Sequence, residues 1–166
     1  MRFCSRCGAA LTQRTVEGRD RPTCPACGFV VYLDPKVACA TLVVREGRVL
    51  LVRRRNEPGR GKWCLPCGYE EADEAPADAA QREAREETGL AVVIEALHGV
   101  YHYIDDPRGA GVLIVFRARC AADAPITAGD DASAAAFFAA DRLPPISHHT
   151  HLSALADWLA QTAARA

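Results

Sequence analysis

A chain of 166 residues has room for one good hydrophobic core and a small appendage. Its 20 basic residues against 21 acidic ones leave a net charge of −1, which excludes a global pull towards nucleic acid or membrane surfaces. No apolar run reaches the roughly 18 residues of a helical membrane span, and Met1-Arg2-Phe3 leads straight into Cys4 without a signal-peptide pattern, so a reducing, cytoplasmic setting is expected.

The first element is set by cysteines. Cys4-Ser-Arg-Cys7-Gly8 and Cys24-Pro-Ala-Cys27-Gly28 are two Cys-x-x-Cys-Gly knuckles with 16 residues between them. Two residues between thiolates let both reach one tetrahedral ion, and the glycine permits the tight turn around it. Residues 1–34 therefore read as a four-cysteine zinc ribbon, with Cys4, Cys7, Cys24 and Cys27 as ligands of Zn2+. So short a segment builds little apolar core, and the ion would contribute its folding energy. Two disulfides are the competing reading. Phe29-Val-Val-Tyr32 is expected to be the ribbon's last strand.

Asp34-Pro35 punctuates the join to a second domain, residues 35–166. Residues 37–44 and 49–54 are strand patterns linked by a Glu46-Gly47 turn. A basic, glycine-rich loop follows, in which Arg53, Arg54, Arg55, Arg60 and Lys62 are candidates to hold phosphate groups. Arg53, Arg55 and Arg60 are the ones chosen. Cys64-Leu-Pro-Cys67 is a third Cys-x-x-Cys; small buried or loop cysteines and a redox or metal role both remain open for it. Cys39 and Cys120 read as core.

A helix is then expected from Pro76, which suits a first turn, to Gly89, which suits a C-terminal cap. Asp73 and Glu74 favour its positive end. Glu83, Glu86 and Glu87 share one face, because positions i, i+3 and i+4 lie together. Like charges so placed cost an isolated helix about 0.2–0.5 kcal/mol per pair, so something positive should cover them. A hard divalent cation is the natural candidate. Ala77, Ala80 and Ala84 form a small-residue packing stripe, while Asp78, Gln81 and Arg85 should meet water.

Residues 91–104 and 111–119 read as two longer strands, joined through Pro107, and 121–132 as a loop. Residues 135–139 read as a short strand. Ser147 should cap a final helix with Leu152, Leu155, Ala156 and Leu159 on its apolar face. Tyr101 is a candidate to stack on a nucleobase, with core packing as the alternative. His148, His149 and His151 read as surface and capping residues. Strands alternating with helices imply an α/β fold with a mixed sheet covered on both faces.

Gly68, Glu74, Arg82, Glu83, Glu86, Glu87, Gly89 and Leu90 together resemble the signature of the Nudix hydrolases: Gly, five residues, Glu, seven residues, Arg-Glu, an aliphatic, any residue, Glu-Glu, any residue, Gly, an aliphatic. Ala84 is smaller than the usual aliphatic. The resemblance implies a Nudix α/β/α sandwich after the ribbon. It also implies hydrolysis of a diphosphate bridge by water, with Mg2+ or Mn2+ held by Glu83, Glu86, Glu87 and the Cys67 carbonyl. Arg82 would anchor Glu74 and orient the loop. Glu83 would be the general base, with Asp130 or Asp131 as substitutes. The Ser-Gln-Pro-Trp-Pro-Phe-Pro run of the reduced-dinucleotide enzymes is missing after the signature. The closer resemblance is thus to ribbon-bearing enzymes of ADP-ribose or flavin adenine dinucleotide; an NADH or NAD pyrophosphatase is the runner-up, and a sanitiser of oxidised nucleoside triphosphates follows it. Family members are often dimers, so a homodimer is expected beside the small-molecule nucleotide substrate. A non-catalytic ribbon module binding nucleic acid or protein is the alternative of another class. The scattered ribbon arginines argue against it.

Overall fold

The computed structural model describes residues 1–104, 106 and 109–164. Pro107 lies outside the described residues. The chain divides into two compact units, Met1–Asp34 and Pro35–Ala166.

In the first unit, β1 (Thr12–Val16) and β2 (Arg19–Thr23) form an antiparallel hairpin. Its turn runs through Glu17 and Gly18, both left-handed with φ of 53° and 74°. These strands are polar and carry no alternation, so the sequence pattern does not announce them. The strand expected at 29–32 is not formed. That segment makes a single bridge, Thr23 to Val30, because its backbone bonds hold the second knuckle instead, with the Cys24 N–H donating to the Phe29 carbonyl at 2.8 Å.

The second unit is a seven-stranded mixed sheet between two helices. Its spine is β3 (Lys36–Arg45), which runs parallel to β8 (Gly111–Arg119) and turns into antiparallel β4 (Arg48–Arg54). Beyond β4 lie β5 (Trp63–Cys64) and β9 (Ala132–Ala139), and beyond β8 lies β7 (Val93–Tyr103). The short β6 (Cys67–Tyr69) pairs with β3 at residues 38–40. The sequence pattern places β3, β4, β7 and β8 within two residues; β5 and β6 are too short to show a period.

Alternation along the spine sorts the core. Cys39 and Val43 face α1 (Pro76–Thr88), against Ala79, Ala80 and Ala84. Ala40 and Leu42 face α2 (His149–Ala163), against Ala154, Leu155 and Trp158. Burying Leu155 alone contributes on the order of 1.5–3 kcal/mol. As expected, Pro76 opens α1, and Gly89, at φ 72°, closes it by donating to the Arg85 carbonyl. The buried face of α1 is wider than an alanine stripe: Ala79 joins it, Ala77 and Gln81 are half-buried, and Glu83, Glu87 and Thr88 continue it. Two expectations for the last helix are corrected. His148, not Ser147, occupies the cap position, without a side-chain capping bond. Leu152 and Ala156 are exposed, since the core-facing row is His151, Ala154, Leu155 and Trp158. No helix among the described residues is long and apolar enough to cross a membrane.

Candidate active site

The site is assembled where β6 and the loop before it meet α1. Gly68 is required there by close approach: a Cβ on it would stand 2.1 Å from Glu83 Oε1. The preceding amide, Cys67 N–H, donates to Glu87 Oε2 at 2.8 Å. From the far side, the loop ahead of β9 is fastened to the end of α1. Thr127 N–H donates to the Thr88 carbonyl at 2.9 Å, and Gly129 N–H to that of Glu87 at 3.1 Å. This brings the Asp131 side chain against Glu87. Asp130, Asp131, Glu83 and Cys67 line one cleft of about 440 Å³.

Arg82 organises three of the four signature carboxylates. Its guanidinium grips Glu74 with two bonds, of 2.6 and 3.1 Å, and donates to the Tyr69 carbonyl at 3.0 Å. Its Nη1 reaches Glu83 Oε1 at 2.6 Å and Glu86 Oε2 at 3.0 Å. Glu74 has both oxygens engaged, one of them also taking the Glu71 amide, and is a brace. Glu83 and Glu86 each touch Arg82 through one oxygen, and Glu87 does not touch it.

Burial dominates the titration of the inner pair. It raises Glu83 and, reinforced by the nearby Cys64 and Asp131, pushes Glu87 up to about 10. Arg82 instead lowers Glu74. Glu83 in the cleft lining, with Asp131 beside it and Glu87 bonded to the Cys67 amide of that lining, offers carboxylate oxygens, the donor type that fits a hard divalent cation. The set is open rather than closed. Among the described residues, only Cys4, Cys7, Cys24 and Cys27 place three or more ligand atoms within 4.8 Å of one another.

Those ribbon thiols approach at 3.4, 3.6 and 3.7 Å. Four sulfurs about 2.3 Å from a tetrahedral ion are about 3.8 Å apart. Both knuckles turn alike, with Gly8 N–H on the Cys4 carbonyl and Gly28 N–H on that of Cys24. The eight cysteines are all free thiols, so the disulfide reading is set aside.

The basic loop presents a different arginine from those chosen by sequence. Arg54 lines the cleft, its Nε donating to the Pro58 carbonyl at 2.7 Å. Arg53 is exposed and bonded to Ser133 Oγ; Arg55 is exposed and bonded to the Ala132 carbonyl; Arg60 is exposed outside the cleft lining. Tyr101 donates to Asp157 Oδ2 at 2.7 Å and packs on the α2 side of the core; its neighbour Tyr103 lines the cleft.

The histidines also part company. His149 is exposed, while His151 is buried. Burial, with the charges of His148 and Arg54, brings His151 down to about 3. Cys64 is buried and Cys67 lines the cleft. Within that pair the hydrogen bond lowers the Cys64 thiol and raises Cys67. Helical spacing from Ala154, Leu155 and Trp158 is the signal that marks His151 as core.

The NUDIX domain model matches residues 33–159, and the Nudix N-terminal zinc-ribbon model matches residues 2–33. The chain belongs to the Nudix family. Among solved structures, a NUDIX hydrolase from Nitrosomonas europaea matches with a TM-score of 0.83 and 33% identity, covering 93% of this chain and 88% of that one. An ADP-ribose pyrophosphatase from Methanocaldococcus jannaschii is 38% identical over 120 residues, 72% of this chain and 70% of that protein. An NAD-capped RNA hydrolase, NudC, from Pseudomonas aeruginosa is 30% identical over 87% of this chain and 50% of that protein. This Nudix chain is accordingly an enzyme of the pyrophosphate-hydrolysing class, with a mixed-sheet sandwich preceded by a zinc ribbon.

Proposed function

We propose that the enzyme hydrolyses the pyrophosphate bond of ADP-ribose or an FAD-like dinucleotide, with Mg2+ or Mn2+ at the signature carboxylates and Zn2+ in the ribbon. The observation that carries this reading is the meeting of Glu83 and Asp131 in one cleft lining, with Glu87 joined to that lining by the Cys67 amide and by Asp131. Glu83, Glu86 and Glu87 would hold the catalytic cation, with the Cys67 carbonyl as a main-chain ligand. Bound there, the ion supplies neutralisation of the phosphate oxygens and activation of water. Arg82 keeps Glu83 aimed at the cleft, where it is the proposed general base, and Asp131 is the alternative acceptor of the water's proton. Arg54, which lines the cleft, would meet a phosphate group. Water would add to one phosphorus as that atom's bond to the bridging oxygen breaks, its proton passing to the base and the other phosphate leaving, so that ADP-ribose would yield AMP and ribose 5-phosphate.

Identity to the Methanocaldococcus protein favours ADP-ribose. A second reading, NAD as substrate, is favoured by the NudC match, whose 87% share of this chain reaches into the ribbon. A panel of ADP-ribose, FAD, NADH and NAD-capped RNA, assayed with Mg2+ and Mn2+, separates the two by kcat/KM. Glu87→Gln should lower kcat by at least about 100-fold, as expected when a metal ligand is lost at a phosphoryl-transfer site. Native turnover in this variant would refute the site.

A further inference from the structure

His151, 3% exposed, is among the residues lining the cleft, beside the loop that runs into β6 against the carboxylate helix. Residues 65–67 of that loop are held from three elements. From α2, His151 Nδ1 accepts the Leu65 N–H at 3.3 Å. From β3, the Thr41 N–H donates to the Pro66 carbonyl at 3.0 Å. From α1, Glu87 Oε2 accepts the Cys67 N–H at 2.8 Å. An amide N–H only donates, so Nδ1 is the acceptor of the ring, and in the neutral imidazole Nε2 carries the proton. Nε2 faces Cys67 Sγ at 3.7 Å. One ring therefore grips both ends of Leu65-Pro66-Cys67. Leu65 is fully buried, so its N–H has no water to turn to if the ring is removed.

We propose that His151 is a positioning residue for the catalytic cation. By fixing Leu65 and Cys67, it sets where the Cys67 amide stands and, through that amide, where the Glu87 carboxylate points. The role couples the two helical layers: α2 supplies the ring, α1 supplies the carboxylate, and the loop connects them. It rests on the assignment of Glu87 as a metal ligand. Groups that orient a metal ligand from behind commonly affect metal affinity by about 10–100-fold. The two nitrogens have separable roles, because an asparagine oxygen can stand where Nδ1 does, whereas leucine offers no acceptor.

The test is binding of Mn2+ to the full chain without substrate, read from the electron paramagnetic resonance signal of the free ion, with Glu87→Gln as the blank for this site. Steady-state kcat and KM and thermal melting are measured beside it. Expected are Mn2+ affinity within about threefold of native for His151→Asn and a loss of about 10-fold or more for His151→Leu. In the leucine variant kcat should fall more than KM changes. Should His151→Leu fail to fold, His151→Gln, which withdraws the Nδ1 acceptor but keeps a polar group, carries the same expectation as the leucine variant. Folded His151→Leu or His151→Gln binding Mn2+ like native protein overturns the proposal, as does His151→Asn losing as much affinity as they do. If native protein binds Mn2+ in this graded order yet cleaves no dinucleotide, the positioning role stands and the substrate reading falls. If native protein and Glu87→Gln take up Mn2+ alike, the positioning role falls.

Discussion

Gly68→Ala probes the site with a single methyl group. The backbone at Gly68 lies in β6 and outside the left-handed region, so alanine adopts it without strain. The new Cβ, however, would meet Glu83 at 2.1 Å from Oε1, 2.2 Å from Cδ and 2.4 Å from Oε2. Ordinary contact begins near 3.4 Å, so the carboxylate must retreat by about 1.3 Å. It has little freedom to do so in place, because Glu83 is 9% exposed and held by Arg82 at 2.6 Å. The carboxylate yields, and the fold does not. A displacement of about 1 Å at a reacting centre costs about 100-fold in rate, equivalent to about 2.7 kcal/mol of transition-state stabilisation. The assay is kcat/KM on ADP-ribose with Mg2+, paired with a thermal melt of the same preparation. The expected result is a loss of about 100-fold with the melting temperature within about 4 °C of native, less than about 1 kcal/mol of folding stability. Near-native turnover in a folded Gly68→Ala protein would refute the argument that Glu83 must occupy this place.

Purified protein should release about one equivalent of zinc per chain to a thiol-reactive mercurial in a colorimetric metal assay, and none after Cys24→Ser. Zinc loss should make residues 1–34 protease-sensitive while dinucleotide hydrolysis changes little over the assay. Zinc-free native protein with a protected N-terminal unit would contradict the ribbon assignment. The Arg82–Glu74 pair should also show in the pH dependence of stability. Arg82 lowers Glu74 below its ordinary value of 4.5, so its contribution is present above 4.5 and disappears as pH falls through the folded-state value. Melting curves of native protein and Glu74→Gln should differ at pH 7 and converge in acid. A constant gap at every pH would show that the charge is not what matters.

Much of this architecture was legible in the sequence because its signals are local. Pro76 and Gly89 bracket α1, and the fixed spacing from Gly68 to Leu90 identifies the carboxylate helix. The knuckles identify the ribbon. Where the sequence reading failed, the missing information was non-local. Residues 49–52 of β4 are buried on both faces, so alternation there does not say which way the next residues point. Arg54 rather than Arg53 or Arg55 therefore reaches the cleft. β5 and β6 pair with partners ten or more residues away, β5 on β4 and β6 on β3. His151 was concealed by its neighbours: two more histidines at a helix start suggest a solvated cluster until the row to Trp158 is followed.

The two proposed metal sites differ in what they ask of the ion. The hydrolase unit has its own apolar core, and all four of its hydrophobic clusters among the described residues lie in it. Repulsion among its signature glutamates is met by Arg82, which touches Glu74, Glu83 and Glu86 at once. That helix can fold without a divalent ion, so the proposed cation would be free to come and go with substrate. The ribbon has no such provision. Its buried residues are Cys4, Thr23, Cys24 and Val31, and two of those four are the thiols themselves. There the proposed ion would take the place of the core, and losing it should unfold the unit. Chelation that removes only loosely held Mg2+ should therefore stop turnover without a change in melting, whereas extraction of Zn2+ should change the fold of the first 34 residues.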